Sequence, residues 1–133
     1  MNVERVDADG QLLGLFMRDV NTTPEATTFL TPDDANLQVG FVVKSASDSV
    51  LRHTHEPIER RTVGTAEVLI VERGSGEVDF FDSERHLVAT RAFGAHDVLV
   101  LLSGGHGLRF FTDTVLLEVK QGPYPGHDEK SGF

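Results

Sequence analysis

Apolar positions along this chain fall in short runs that alternate with a period of two, and no stretch sustains the 3.6-residue period of a long helix. Residues 12–17, 38–44, 50–55, 67–71, 77–81, 87–93, 98–102, 106–111 and 115–121 are each rich in strand-forming side chains and bounded by turn chemistry. The punctuation includes Ala8-Asp9-Gly10, Ala46-Ser47-Asp48-Ser49, Arg73-Gly74-Ser75-Gly76, Gly94-Ala95-His96-Asp97 and Ser103-Gly104-Gly105. Short strands separated by turns every eight to twelve residues predict an all-β domain, either a sandwich or a jelly-roll barrel. Helix is confined to Thr31-Pro32-Asp33-Asp34-Ala35-Asn36, where a Thr cap followed by Pro predicts a single turn.

Two runs are apolar at both parities: Val98-Leu99-Val100-Leu101-Leu102 and Glu67-Val68-Leu69-Ile70-Val71. Successive strand residues face opposite sides, so both faces of these strands need a cover. One face lines the interior. The other is expected to lie under N-terminal strands or a second subunit, which predicts a homodimer.

A length of 133 residues fits one domain with a substantial core, and residues 127–133 read as a tail. Asp plus Glu number 21 against 12 Lys plus Arg, a net charge of −9, which argues against nucleic acid and acidic lipid surfaces as partners. No apolar run reaches membrane-spanning length and residues 1–7 lack a secretory core, so a cytoplasmic location is expected. Cysteine is absent, which leaves His, Asp and Glu as the available metal ligands.

Candidate chemistry begins with Arg52-His53-Thr54-His55. On a strand, residues two apart share a face, so both imidazoles can approach one ion at about 2.0–2.2 Å. Glu67 opens an otherwise apolar run and shares its face with Leu69 and Val71, a costly place for a carboxylate without a partner or cation. His106 shares its face with Leu108 and Phe110. Three separate runs therefore each set an imidazole or carboxylate on a core-facing side.

This order of His-x-His, a Glu followed by a turn glycine, an aspartate opening an apolar strand, and a third His resembles the two motifs of the small cupin family. The resemblance spans residues 51–111 and implies a double-stranded β-helix barrel with extra N-terminal strands. It further implies a metal site of His53, His55, Glu67 and His106, with Gly74 as the turn glycine and Asp97 as the strand-opening aspartate. Cupins usually place the glutamate four or five residues after the second histidine, a spacing that Glu59 fits and Glu67 does not. Pro57 interrupts any strand around Glu59, and Glu67 is the preferred ligand. Residues 56–66 then form a long loop between ligand strands.

The cofactor implied is one divalent transition metal, with Fe, Mn, Ni, Co and Zn all compatible with imidazole and carboxylate. Arg60 and Arg61, in the loop after His55, are candidates to orient an anionic ligand, since guanidinium matches carboxylate and phosphate. The function so implied is that of a metalloenzyme acting on a small polar or anionic metabolite, a sugar derivative or a keto or hydroxy acid. Isomerase or lyase chemistry and dioxygenation both fit. The alternatives are a non-catalytic ligand-binding or sensor protein with a structural metal, and a metal-free interaction domain. His86, His96 and His127 fall in turns or the tail, where solvated surface histidine is the simpler reading. Tyr124, after a Gly-Pro turn, is expected to fold over one barrel end.

Overall fold

The computed structural model describes residues 2–126 and 129–133. The chain opens with a hairpin. Strand β1 (Asn2–Ala8) reverses into β2 (Gln11–Arg18) through Asp9 and Gly10, whose φ angles are 51° and 76°. Two central residues with positive φ give a turn whose twist matches that of the strands it joins. Next come β3 (Thr28–Phe29) and β4 (Gly40–Phe41), which form a small ribbon. Six further strands follow: β5 (Glu67–Arg73), β6 (Gly76–Phe81), β7 (Leu87–Phe93), β8 (Val98–Leu101), β9 (Gly105–Phe110) and β10 (Val115–Lys120).

All pairings are antiparallel. One sheet runs β1-β2-β8-β5-β10, and a smaller sheet runs β7-β6-β9. Their facing sides enclose a core that includes Phe16, Leu69, Val71, Val78, Phe80 and Leu99. At one side of this sandwich Glu4 of β1 accepts hydrogen bonds from Arg18 of β2 at 3.1 Å and Arg91 of β7 at 3.0 Å, tying the sheets together. At the other side β10 and β9 each end their sheet, with one strand neighbour apiece among the described residues.

The all-β expectation holds, but the sheets do not close into a barrel. Residues 42–65 are exposed throughout and form no strand, so the expected strand at 50–55 is absent and that at 38–44 shrinks to Gly40–Phe41. The outer face of the larger sheet also differs from expectation. Leu15, Met17, Val68, Val98 and Val100 lie beneath Leu30, Leu37, Val39 and Phe41, so the segment after β2 supplies the cover. The anticipated helical turn reduces to one main-chain hydrogen bond, Ala35 N–H to the Pro32 carbonyl at 3.0 Å. Tyr124 stays 71% exposed and caps nothing. No helix among the described residues is long and apolar enough to cross a membrane.

Candidate functional site

Strand alternation delivers the central pair. Glu67, Leu69 and Val71 of β5 face inward and are all buried, while His106 sits opposite Phe80 across the β6–β9 register, on the same side of its sheet, and remains exposed. The two polar side chains meet across the gap between sheets, His106 Nε2 lying 3.3 Å from Glu67 Oε2. Hydrogen bonding to His106 holds the Glu67 carboxyl below its ordinary range, aided by the charges of His106, Lys120 and Lys130 and opposed by burial.

Lys120 is the cross-strand partner of Glu67 on β10. Its ammonium lies 3.2 Å from Glu129 Oε1, and this contact raises the Lys120 pKa above the usual lysine value. A cavity of about 750 Å³ opens beside Glu67 and His106, bounded by Phe81, Arg85, Arg109 and residues 129–133. That volume falls in the range of small-molecule sites.

Asp79 and Glu77 bind Arg109 on the outer face of the smaller sheet, and Thr90 donates a further hydrogen bond to Asp79. The guanidinium and the hydroxyl together pull the Asp79 carboxyl below its ordinary range. As its parity requires, Arg109 points away from His106, and its partners saturate it.

Of the four proposed ligands, the structure brings Glu67 and His106 together and leaves His53 and His55 apart from them. The two remaining histidines lie in the exposed segment after β4. They are mutual neighbours, with ring centroids 5.1 Å apart at an edge-on angle. His53 Nδ1–H donates to the Leu51 carbonyl at 2.8 Å. The strand that would turn both rings to one side is not formed there. Glu59, Arg60 and Arg61 occupy the same exposed segment and line no part of the cavity; its cations are Arg85, Arg109 and Lys130.

The spacing of the resident pair is that of a hydrogen bond and is also compatible with two ligands of one ion. Two ligands bonded at about 2.1 Å to one octahedral or tetrahedral ion sit roughly 3.0–3.4 Å from each other. The Glu67–His106 separation lies within that span, so these two side chains could hold an ion with little rearrangement. A two-ligand set is incomplete for a transition metal, and the His53–His55 pair is the unplaced remainder.

Among the described residues, three Asp, Glu or His side chains bring ligand atoms within 4.8 Å of one another at Asp82, Glu84 and His86. That cluster is the exposed turn between β6 and β7. Asp82 Oδ1 accepts from the main-chain N–H groups of Glu84 at 2.9 Å and His86 at 2.8 Å, which accounts for the arrangement without an ion.

Gly74 does occupy a turn, with φ of 95°. Asp97 directly precedes β8; its buried carboxylate accepts from the Asp19 and Gly94 N–H groups at 2.9 Å each, a structural use. His86 and His96 lie in turns as expected, and His127 lies outside the described residues. Lys120, Arg85 and residues 129–133 are the parts of the site that sequence reasoning missed. The available signal was Lys120 sharing parity with Leu116 on a strand paired to the Glu67 strand, and an aromatic residue closing an otherwise polar tail.

Comparison with family models, with curated proteins and with solved structures yields no match for this chain.

Proposed function

We propose that this chain is a cupin-like protein that binds one divalent transition metal through His53, His55, Glu67 and His106, and binds a small anionic metabolite at that metal. The observation that carries the reading is the Glu67–His106 contact: two metal-competent side chains from facing sheets, 3.3 Å apart at the wall of a cavity. A buried carboxylate at the head of an apolar strand is expensive unless a cation or donor meets it, and the imidazole does so here.

Two further features support the same reading. Among the described residues, strands β9 and β10 each leave one edge without a strand neighbour, β9 at the cavity wall, and a free edge is a template for another strand. The exposed segment contains two runs with strand composition, 38–44 and 50–55, joined by the turn-forming Ala46-Ser47-Asp48-Ser49. Pairing of residues 50–55 with β9 brings the His53–His55 pair to the wall that carries His106, and gives Val50 and Leu51, now 66% and 84% exposed, a place to pack. Arg85 and Lys130 line the cavity and lend it positive charge suited to an anion. When bound, the metal supplies Lewis-acid polarisation of a ligand oxygen.

The test is metal uptake by tag-free protein, measured by equilibrium dialysis against Mn(II) and Zn(II) with elemental analysis. One equivalent is expected for the wild type, falling well below one in Glu67→Gln, His106→Ala and His53→Ala. Stoichiometric uptake that survives in all three variants, or no uptake by the wild type, overturns the assignment.

A further inference from the structure

Residues 129–133 line one side of the cavity and run from β10 of one sheet to β6 of the other as a strap. At one end Glu129 Oε1 meets Lys120 Nζ, with the two side chains only 11% and 22% exposed. At the other end the Phe133 ring stands edge-on to Phe81 at 5.0 Å, and the Arg85 guanidinium lies 5.0 Å above the Phe133 ring. Between them Arg85 Nη2 donates to Ser131 Oγ at 3.4 Å, a long contact.

No main-chain hydrogen bond joins residues 129–133 to either sheet among the described residues, and Phe133 remains 62% exposed. The strap is therefore fastened by one well-shielded ion pair and a loosely packed ring. Segments held by so few buried contacts open at low cost.

The chemistry of the shielded contact identifies what could replace it. Glu67 is already met by His106, and Asp79 is saturated by Arg109 and Thr90. Glu129 is the carboxylate on this wall that arrives from outside the sheets, and it sits on the one ammonium set directly across the strand pair from Glu67. Directly opposed residues have Cβ atoms about 4.5–5.5 Å apart. A small free carboxylate has the charge and the acceptor oxygens of the Glu129 side chain and can compete for the same ammonium, whereas its neutral amide lacks the charge.

We propose that Lys120 is the seat for the carboxylate of a small anionic ligand, and that Glu129 on the strap occupies this seat until such a ligand displaces it. The assignment rests on the proposed anionic ligand of the Glu67–His106 site, and it narrows that ligand to a carboxylate.

The experiment is an NMR titration of the metal-free 133-residue chain with glycolate, with its neutral amide glycolamide as control. Glycolate is expected to shift the amide signals of Lys120 and Glu129 and to move the Phe133 ring signals toward unfolded-chain values, while glycolamide leaves them in place. Glu129→Gln removes the competing charge and should tighten glycolate binding about fivefold, the change expected from loss of a partly shielded ion pair. Phe133→Ala should act in the same direction from the far end. Lys120→Met should abolish the response and Lys120→Arg should keep it.

Equal glycolate affinity in wild type and Glu129→Gln, or an equal response to glycolamide, overturns the proposal. Because no metal is added, these outcomes are independent of metal uptake. Unchanged metal content in Glu129→Gln and Lys120→Met, measured separately, separates the anion seat from the metal ligands; loss of metal in Lys120→Met would overturn its role as a seat for the anion alone.

Discussion

A carboxylate on a core-facing position reports on its partner, and this chain contains contrasting cases. Glu67 is buried against one imidazole beside a cavity, whereas Glu4, with 31% of its side chain exposed, is shared by two guanidiniums at the pinned side of the sandwich. Hydrogen bonding from Arg18, with added support from Arg91, depresses the Glu4 carboxyl below its ordinary value near 4.5. A depressed folded-state pKa means that the unfolded chain binds protons first as the pH drops. The stabilisation is fully present above the unfolded value and is lost as pH falls through the folded one. Glu4→Gln should therefore lower stability near pH 7 by about 1 kcal/mol, roughly 3–5 °C in melting temperature. The gap from wild type should narrow as the pH is taken down toward about 3. Thermal melts across that range check it, and a gap that stays constant would show that the carboxylate charge is not what holds β1 to β7.

At the scale of elements, close approach sometimes outweighs propensity, and β2 shows where. An exposed strand glycine is generally improved by alanine, by roughly 0.5–1 kcal/mol. At Gly14 an added Cβ would lie 2.5 Å from the Val100 carbonyl oxygen and 2.7 Å from the Phe80 ring, both fixed by the core. Gly14→Ala is therefore expected to destabilise by about 1–3 kcal/mol, as overpacking does, with urea denaturation as the measure. A neutral or stabilising result would mean that β2 can shift away from β8.

The same elements show what periodicity can and cannot reveal. Strands β5 to β10 lie within two residues of the apolar runs that predict them, because their inner faces pack a shared core. Strand β1 escaped detection. A bulge between Val6 and Asp7 breaks its alternation, and Glu4 is used in ion pairs that no hydropathy pattern marks. Glu67 and His106 were legible because each is a polar interruption on an apolar face. Lys120 and residues 129–133 were not, since their roles depend on where the end of the chain returns in space. Residues 50–55 have strand composition without a strand partner, and composition alone cannot supply one.

For the molecule as a whole, the asymmetry between its two sides is the feature with the largest consequence. One side is tied by Glu4, Arg18 and Arg91, and the other ends in two strand edges, with Phe110, Leu117 and Val119 about half exposed. Unprotected edges are normally blunted or covered, and a segment of strand composition without a strand partner is the one carrying His53 and His55. If a metal joins that pair to Glu67 and His106, binding and closure are one equilibrium. Metal held at about 100 times its dissociation constant then stabilises the closed form by about 2.7 kcal/mol, equivalent to roughly hundredfold slower amide exchange in residues 50–55. Hydrogen exchange read by mass spectrometry should show that slowing in the wild type with Mn(II) and not in Glu67→Gln. The distribution of the effect decides the case. Slowing confined to residues 67–71 and 105–110, with 50–55 exchanging as fast as before, would mean that an ion can sit on Glu67 and His106 without recruiting the paired histidines, and closure of the open side would have to be abandoned.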